Sequence, residues 1–311
     1  MNNIAQRDAF WNRIYDIAAQ DRNVILISAD MGAPSLDKYR KDLPAQFVNV
    51  GIAEQNAVLI GSGLALKGKK VYLYAIAPFI TLRCLEQIRV ECSIMNIPMT
   101  IVGVGAGMSY QDSGPTHHVL EDITIMRSMP NITIHNITDS VMASEVAGMS
   151  YNIKNTTYVR IDREVFPDIY SPDTDFRTGA AVVKKGEDCY LLTTGCMTHA
   201  ALHAVKRLEQ KNIHVGIIDI YTFPINEEFL LETLKGARKV VSIEEHFLPG
   251  ALGSAVGELI LDNDMPIKLK RLGIRHAKGF CYKYGGRETI REFYGLDRES
   301  LDREIELFLT D

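Results

Sequence analysis

The run VILIS, Val24 to Ser28, is apolar from end to end, the pattern of a strand buried on both faces of a parallel sheet. Comparable β-prone runs recur as KVYLYAI (Lys70 to Ile76), MTIVGVG (Met99 to Gly105), NITIH (Asn131 to His135) and TYVRI (Thr157 to Ile161). Helical patterns fill the intervals. Residues 4–20 place Ile4, Phe10, Ile14, Ile17 and Ala18 at near-helical spacing. A helix is expected after Ala53, another from near Phe79, another after Glu121, and one from Asp139 as its cap to about Tyr151. Alternation of this kind predicts an open, mostly parallel α/β sheet over residues 1–165. The stretch 166–179, FPDIYSPDTDFRTG, breaks the rhythm with prolines and acids and reads as an interdomain linker. A second α/β domain is expected over 180–311, with strands CYLLTTG (Cys189 to Gly195), HVGIIDI (His214 to Ile220), KVVSIEE (Lys239 to Glu245) and PIKLKRLGI (Pro266 to Ile274). Its helices centre near residues 205, 230 and 257, and the tail from Arg287 adds one or two more, with GLDRESL as a start signal.

Bulk properties narrow the function. A chain of 311 residues accommodates two ordinary domains. The net charge of −5 supplies no basic field for nucleic acid. No apolar run reaches the roughly 18 residues of a membrane span, and the N-terminal stretch lacks a basic segment followed by an apolar one. Five cysteines without CxxC spacing read as reduced core thiols, and the expected compartment is the cytoplasm.

Chemistry is expected where strands end. Three segments stand there: SADMGAPS (Ser28 to Ser35), GIAEQN (Gly51 to Asn56) and GVGAGMSYQDSGPTHH (Gly103 to His118). In the second, Glu54 opens a long apolar helix. The helix dipole and free N–H groups favour its charge, while apolar neighbours oppose it. In the third, GVGAG sits too late in the fold for a dinucleotide loop and has no acidic partner at the required distance. His117 and His118 have no third ligand at a recognisable spacing, so no metal site is assigned.

These segments carry a resemblance. SADMG, NVGIAEQNAV, APFITLRCLEQIR, GPTHHVLEDI, VRIDR, TTGCMTHAAL and IEEHFLPGALGSAVGE together resemble the C-terminal half of transketolase, its pyrimidine-binding and C-terminal domains, and most closely the half-length subunits of split transketolases. 1-Deoxyxylulose-5-phosphate synthase and the β subunits of 2-oxo acid dehydrogenases are more distant relatives, and a catalytically dead binding subunit is the non-enzyme alternative. The resemblance implies thiamine diphosphate with Mg2+ as cofactor and transfer of a two-carbon ketol unit from a ketose, as a rule a sugar phosphate, to an aldose. It places Glu54 on the cofactor's pyrimidine nitrogen, where it shares a proton, and His117 in proton transfer or alkoxide stabilisation. Phe79 matches the aromatic that stacks on the pyrimidine, with Tyr74 as second candidate and a core role the alternative for either. Asp30 matches an aspartate near the cofactor, or caps a helix or turn. Arg83 and Arg163 match arginines that take phosphate, with His118 on the substrate side or supporting the loop. Arg160 either joins them or pairs with Asp162 on the surface.

Departures from the family pattern carry information too. Ser113 stands where full-length transketolases have an aspartate, Gly105 where they have a histidine, and Ala106 where the deoxyxylulose-phosphate enzymes have an arginine. These departures leave the exact ketose open, a modified or an unphosphorylated sugar included. The family's GDG motif and its distal asparagine, which hold the metal and the diphosphate, have no counterpart in the sequence. A separate diphosphate-binding subunit is implied, in an α2β2 assembly. The role of the second domain stays open, a dimerisation and packing unit with Glu245–His246 as a surface pair being one reading.

Overall fold

The computed structural model describes residues 4–187 and 189–310. The first sheet has seven strands: β1 (Val24–Ser28), β2 (Phe47–Asn49), β3 (Lys70–Ile76), β4 (Thr100–Val104), β5 (Ile132–Asn136), β6 (Thr156–Ile161) and β10 (Thr222–Phe223). Their order is β10-β5-β6-β4-β3-β1-β2, parallel except for β10. The second sheet joins β7 (Ala180–Lys184), β8 (Cys189–Thr193), β9 (Val215–Ile220), β11 (Lys239–Phe247) and β12 (Lys268–Ile274) in the order β12-β11-β8-β9-β7. Its β7 edge is antiparallel. Two α/β domains result, as expected, but β10 comes from the second half of the chain and closes the first sheet. Its Thr222 lies opposite His135, and the Thr222 hydroxyl meets His135 Nδ1 at 2.9 Å.

Helices cover both faces. On one face of the first sheet lie α1 (Gln6–Ala18), α2 (Pro34–Asp42) and α7 (Ser140–Met149), packed over Leu26, Tyr72, Tyr74, Val102 and Val159. On the other lies α3 (Glu54–Leu66), over Ile25, Leu73, Ala75 and Ile101. The period of two along β3 sends Leu73 and Ala75 to one core and Tyr72 and Tyr74 to the other. The α3 core runs on through α6 (Asp122–Arg127) into the second domain, reaching α9 (Glu227–Thr233) and α10 (Leu252–Asp262), so one apolar interior serves both. The outer face of the second sheet carries α8 (Met197–Glu209), α11 (Arg287–Tyr294) and α12 (Arg298–Thr310). All five cysteines are buried thiols, and no helix among the described residues is long and apolar enough to cross a membrane.

One feature differs from what the sequence predicts. The helix expected from Phe79 is broken into α4 (Ala77–Ile80), α5 (Leu85–Gln87) and a π-helical stretch, Ile88–Ile94. Thr81 marks the break, its hydroxyl donating back to the Ala77 carbonyl at 2.6 Å, a bond that competes with the regular ladder. The segment 166–179 between the domains is tied down. Ile169 and Tyr170 donate their N–H groups to Asp139, whose other oxygen caps α7 at Met142. Tyr170 Oη donates at 2.9 Å to Asp219 on β9, which also accepts from Thr138 Oγ1 at 2.6 Å.

Asp219 makes stability depend on pH. Burial raises its carboxyl to about 7, against the hydroxyl donors that favour the charge. The native state thus holds this proton more tightly than the unfolded chain, so the contribution is complete below about pH 4 and declines as pH rises through about 7. The stability of the wild type relative to Asp219→Asn should fall across that interval by up to about 1.4 kcal/mol per pH unit. Urea unfolding at a series of pH values measures this, and a constant difference between the two proteins would contradict it.

Candidate active site

Five neighbouring strands deliver their carboxyl ends to one edge of the first sheet, in the spatial order β2, β1, β3, β4, β6. Each is followed by a residue singled out in the sequence: Glu54 after β2, Asp30 after β1, Phe79 and Arg83 after β3, His117 after β4, and Arg163 after β6. Residues far apart in the chain meet because parallel strands all end on the same side.

Most of these side chains form a continuous strip. Glu54 is the first residue of α3 and is 3% exposed. Its Oε2 accepts from Arg83 Nη1 at 2.7 Å. The Arg83 guanidinium lies over the Phe79 ring, 4.4 Å from the centroid. Phe79 meets the His117 ring edge-on at 5.2 Å, and His117 meets Tyr110 at 5.7 Å. Arg163 stacks over Tyr110 at 4.3 Å and reaches Asp112 at 3.5 Å. The strip is open along one side, with the Arg83 and Arg163 side chains 42% and 38% exposed.

The details depart from the sequence-based expectations at several points. Arg83 is engaged by Glu54, so its charge steadies the buried carboxylate; the apolar surroundings expected around Glu54 are in part a guanidinium. Tyr74 is a core residue, 1% exposed, its ring edge-on to Trp11 at 5.1 Å, with no face open to a ligand. Asp30 caps no helix, since Ala33 holds the N-cap of α2. Asp30 adopts the left-handed conformation, φ 54°, and exchanges two hydrogen bonds with Asn49. Asn49 also accepts from Gly51 N at 2.9 Å, tying the first loop to the second. His118 is buried, with Nε2 on the Tyr110 carbonyl at 3.2 Å, and burial lowers its pKa. That contact braces the loop.

Arg160 and the Glu245–His246 pair are not surface groups. Arg160 is 3% exposed and donates through Nε to Asp122 at 2.8 Å, not to Asp162. Glu245 and His246 are buried, and Glu245 pairs with Arg287 and Arg291. A charged residue in a strand pattern reads as an outward one until its partner is known, and here the partner lies 42 residues away on α11.

The donor set suits an aminopyrimidine ring: one buried carboxylate for a ring nitrogen, an adjacent aromatic ring and a histidine. Among the described residues, no group of three or more His, Cys, Asp or Glu side chains is placed to hold a metal ion.

Comparison with known proteins identifies the family. Residues 2–168 match the family model "Transketolase, pyrimidine binding domain", and residues 179–301 match "Transketolase, C-terminal domain". An apulose-4-phosphate transketolase subunit of Phocaeicola vulgatus is 32% identical over 304 residues, covering 96% of each chain. A 6-deoxy-6-sulfo-D-fructose transketolase subunit of a Clostridium species is 28% identical, over 96% of this chain and 92% of that one. A split-gene transketolase structure, described as an inactive β4 tetramer, superposes with a TM-score of 0.88 at 28% identity over 99% of both chains. The transketolase of Campylobacter jejuni shares the fold, with a TM-score of 0.82 at 18% identity, and this chain spans 47% of it. The chain belongs to the transketolase family, as a homologue of the subunits that carry the pyrimidine-binding and C-terminal domains of split transketolases.

Proposed function

We propose that this chain is the pyrimidine-side subunit of a thiamine-diphosphate-dependent transketolase, moving a two-carbon ketol unit from a ketose to an aldose, and that it works in an α2β2 assembly with a separate diphosphate-binding subunit. The observation that carries the reading is the strip itself, in which Glu54, Phe79 and His117 converge from three strand ends. Thiamine diphosphate supplies an electron sink for the carbanion left when a ketose is cleaved. Glu54 would hold the pyrimidine nitrogen and share its proton, Phe79 would pack against the ring, and Asp30 lies at the neighbouring strand end. His117 stands one ring away from Phe79 and is the group to hold or move a proton on the substrate's oxygens. Arg163 would take a terminal anionic group of the sugar.

Dependence on a second chain has physical support. Ile52, two residues before Glu54, and Leu59, five after it on α3, are 79% and 48% exposed. Apolar groups flanking a carboxylate that needs dry surroundings are suited to being covered. A homologue of the same extent described as an inactive β4 tetramer is in keeping with half a site in each chain.

The donor on this reading is a ketose with an anionic terminus. Gly105 has φ 94°, and a side-chain carbon there would run into the Tyr110 ring. Tyr110, backed by Arg163, therefore occupies the place of a residue-105 side chain and would face the donor. Relatives named for apulose 4-phosphate and for 6-deoxy-6-sulfofructose support a branch with varied donors and an anionic terminus. The test is co-expression with the diphosphate-binding subunit and a screen of phosphorylated, sulfonated and uncharged ketoses against short aldoses. Mass spectrometry should detect two-carbon transfer, with anionic donors preferred. An assembled enzyme that instead consumes only 2-oxo acids would overturn the reading.

A further inference from the structure

The long loop between β4 and α6 carries Tyr110 and His117 and is held from both domains: within the first, Gly105 N and Ala106 N donate to the Ile161 carbonyl at 2.8 and 3.1 Å, and Arg160 Nη2 donates to the Val119 carbonyl at 3.0 Å. Strand β11 of the second domain grips it at both ends. At the entry, Glu245 Oε2 accepts the Met108 N–H at 3.0 Å, and a side chain at Gly107 (φ 58°) would collide with the same carboxylate. At the exit, Phe247 N donates to the Leu120 carbonyl at 2.9 Å, and His246 Nε2 lies 3.7 Å from Asp122. Between them, the Arg287 backbone N–H donates to the Gln111 side chain.

The grip is made rigid by a buried ion cluster. Arg287, 5% exposed, reaches Glu245 at 2.5 Å and Asp162 at 2.8 Å, and Arg291 brings a second guanidinium to Glu245 at 2.9 Å. Burial alone would favour a neutral acid, but the two guanidiniums hold the Glu245 carboxyl well below the usual range. Asp162 carries the constraint onward. Its Oδ1 accepts from Ser109 Oγ at 2.7 Å, and Ser109 Oγ accepts the Arg163 N–H at 3.0 Å. Charges so far from water are expensive unless every one is paired, so the cluster has few alternative arrangements and neither has the loop bound to it.

We propose that Glu245 and Arg287 of the C-terminal domain are positioning residues for catalysis: they set the conformation of the 105–118 loop and thereby the place of His117 and Tyr110. This gives the second domain a part in the active site that packing alone would not. The inference rests on the proposed function for its catalytic consequence, but its structural half does not.

Two measurements on the full chain separate these. Hydrogen exchange followed by mass spectrometry, on Glu245→Gln and on the milder Gln111→Ala, should show amides of 105–118 exchanging at least about tenfold faster while β8 and β9 keep wild-type protection. Wild-type exchange in the loop, or an equal loss of protection in both domains, would overturn the proposal. In the assembled enzyme, a loop displaced by about 1 Å should lower kcat on the order of 10²-fold and leave the donor KM within a few-fold. If the loop loosens while kcat holds, the positioning claim fails. If the wild-type assembly transfers no ketol unit, the functional reading fails instead and the exchange result stands.

Discussion

Replacing Glu54 by Gln should lower turnover of the assembled enzyme on the order of 10³-fold or more and leave assembly intact, at the upper part of what proton-transfer groups contribute. The carboxylate is 3% exposed and opens α3, where an amide of the same shape still packs. An amide nitrogen and oxygen cannot share a proton with a ring nitrogen as a carboxyl does. The substitution also removes the charge opposite Arg83, which is held at 2.7 Å. Because the Arg83 side chain is 42% exposed, it can turn to water, and the fold should survive. Loss of proton exchange at C2 of the bound cofactor, followed by NMR in the assembled variant, is the direct readout. Exchange at the wild-type rate would remove Glu54 from the chemistry.

Arg160→Met should unfold the chain more readily by about 3–5 kcal/mol, the usual result of stripping one partner from a buried pair. Arg160 donates to Asp122 at 2.8 Å, to the Val119 carbonyl at 3.0 Å and to Asn136 at 3.3 Å. Asp122 is fully buried and would keep only the Tyr158 hydroxyl, at 2.7 Å, as a close donor. An Arg160→Met/Asp122→Leu double variant should recover most of the loss, since the unpaired charge and not the missing pair is what costs. Urea unfolding of both variants tests this. A single variant within about 1 kcal/mol of wild type would place the pair among the weak, solvent-screened ones.

Local pattern revealed most of the fold because each strand is its own signal. Apolar runs such as VILIS become strands buried on both faces, and Asp139 caps α7 where a cap residue was expected. What stayed hidden depends on distance. β10 is two residues long and pairs with a strand more than eighty residues earlier, so no window of sequence contains it. The break at Thr81 needs a hydroxyl-to-carbonyl bond that composition does not announce. In the site, Glu54, Phe79 and His117 were legible through the resemblance, and their convergence follows from parallel topology. Asn49 and Arg287 were missed. Asn49 looked like an ordinary polar residue at a strand end, and Arg287 only follows a pair of glycines. Glu245 was misjudged as exposed for the same reason: its guanidinium partners arrive from a helix that the strand pattern knows nothing about.

The most direct test of the half-site is titration calorimetry of thiamine diphosphate with Mg2+ into the chain alone and into the chain with its diphosphate-binding partner. The half-site predicts no binding tighter than about 1 mM alone, a loss of at least about 4 kcal/mol relative to micromolar binding by the pair. Micromolar binding by the isolated chain would contradict it.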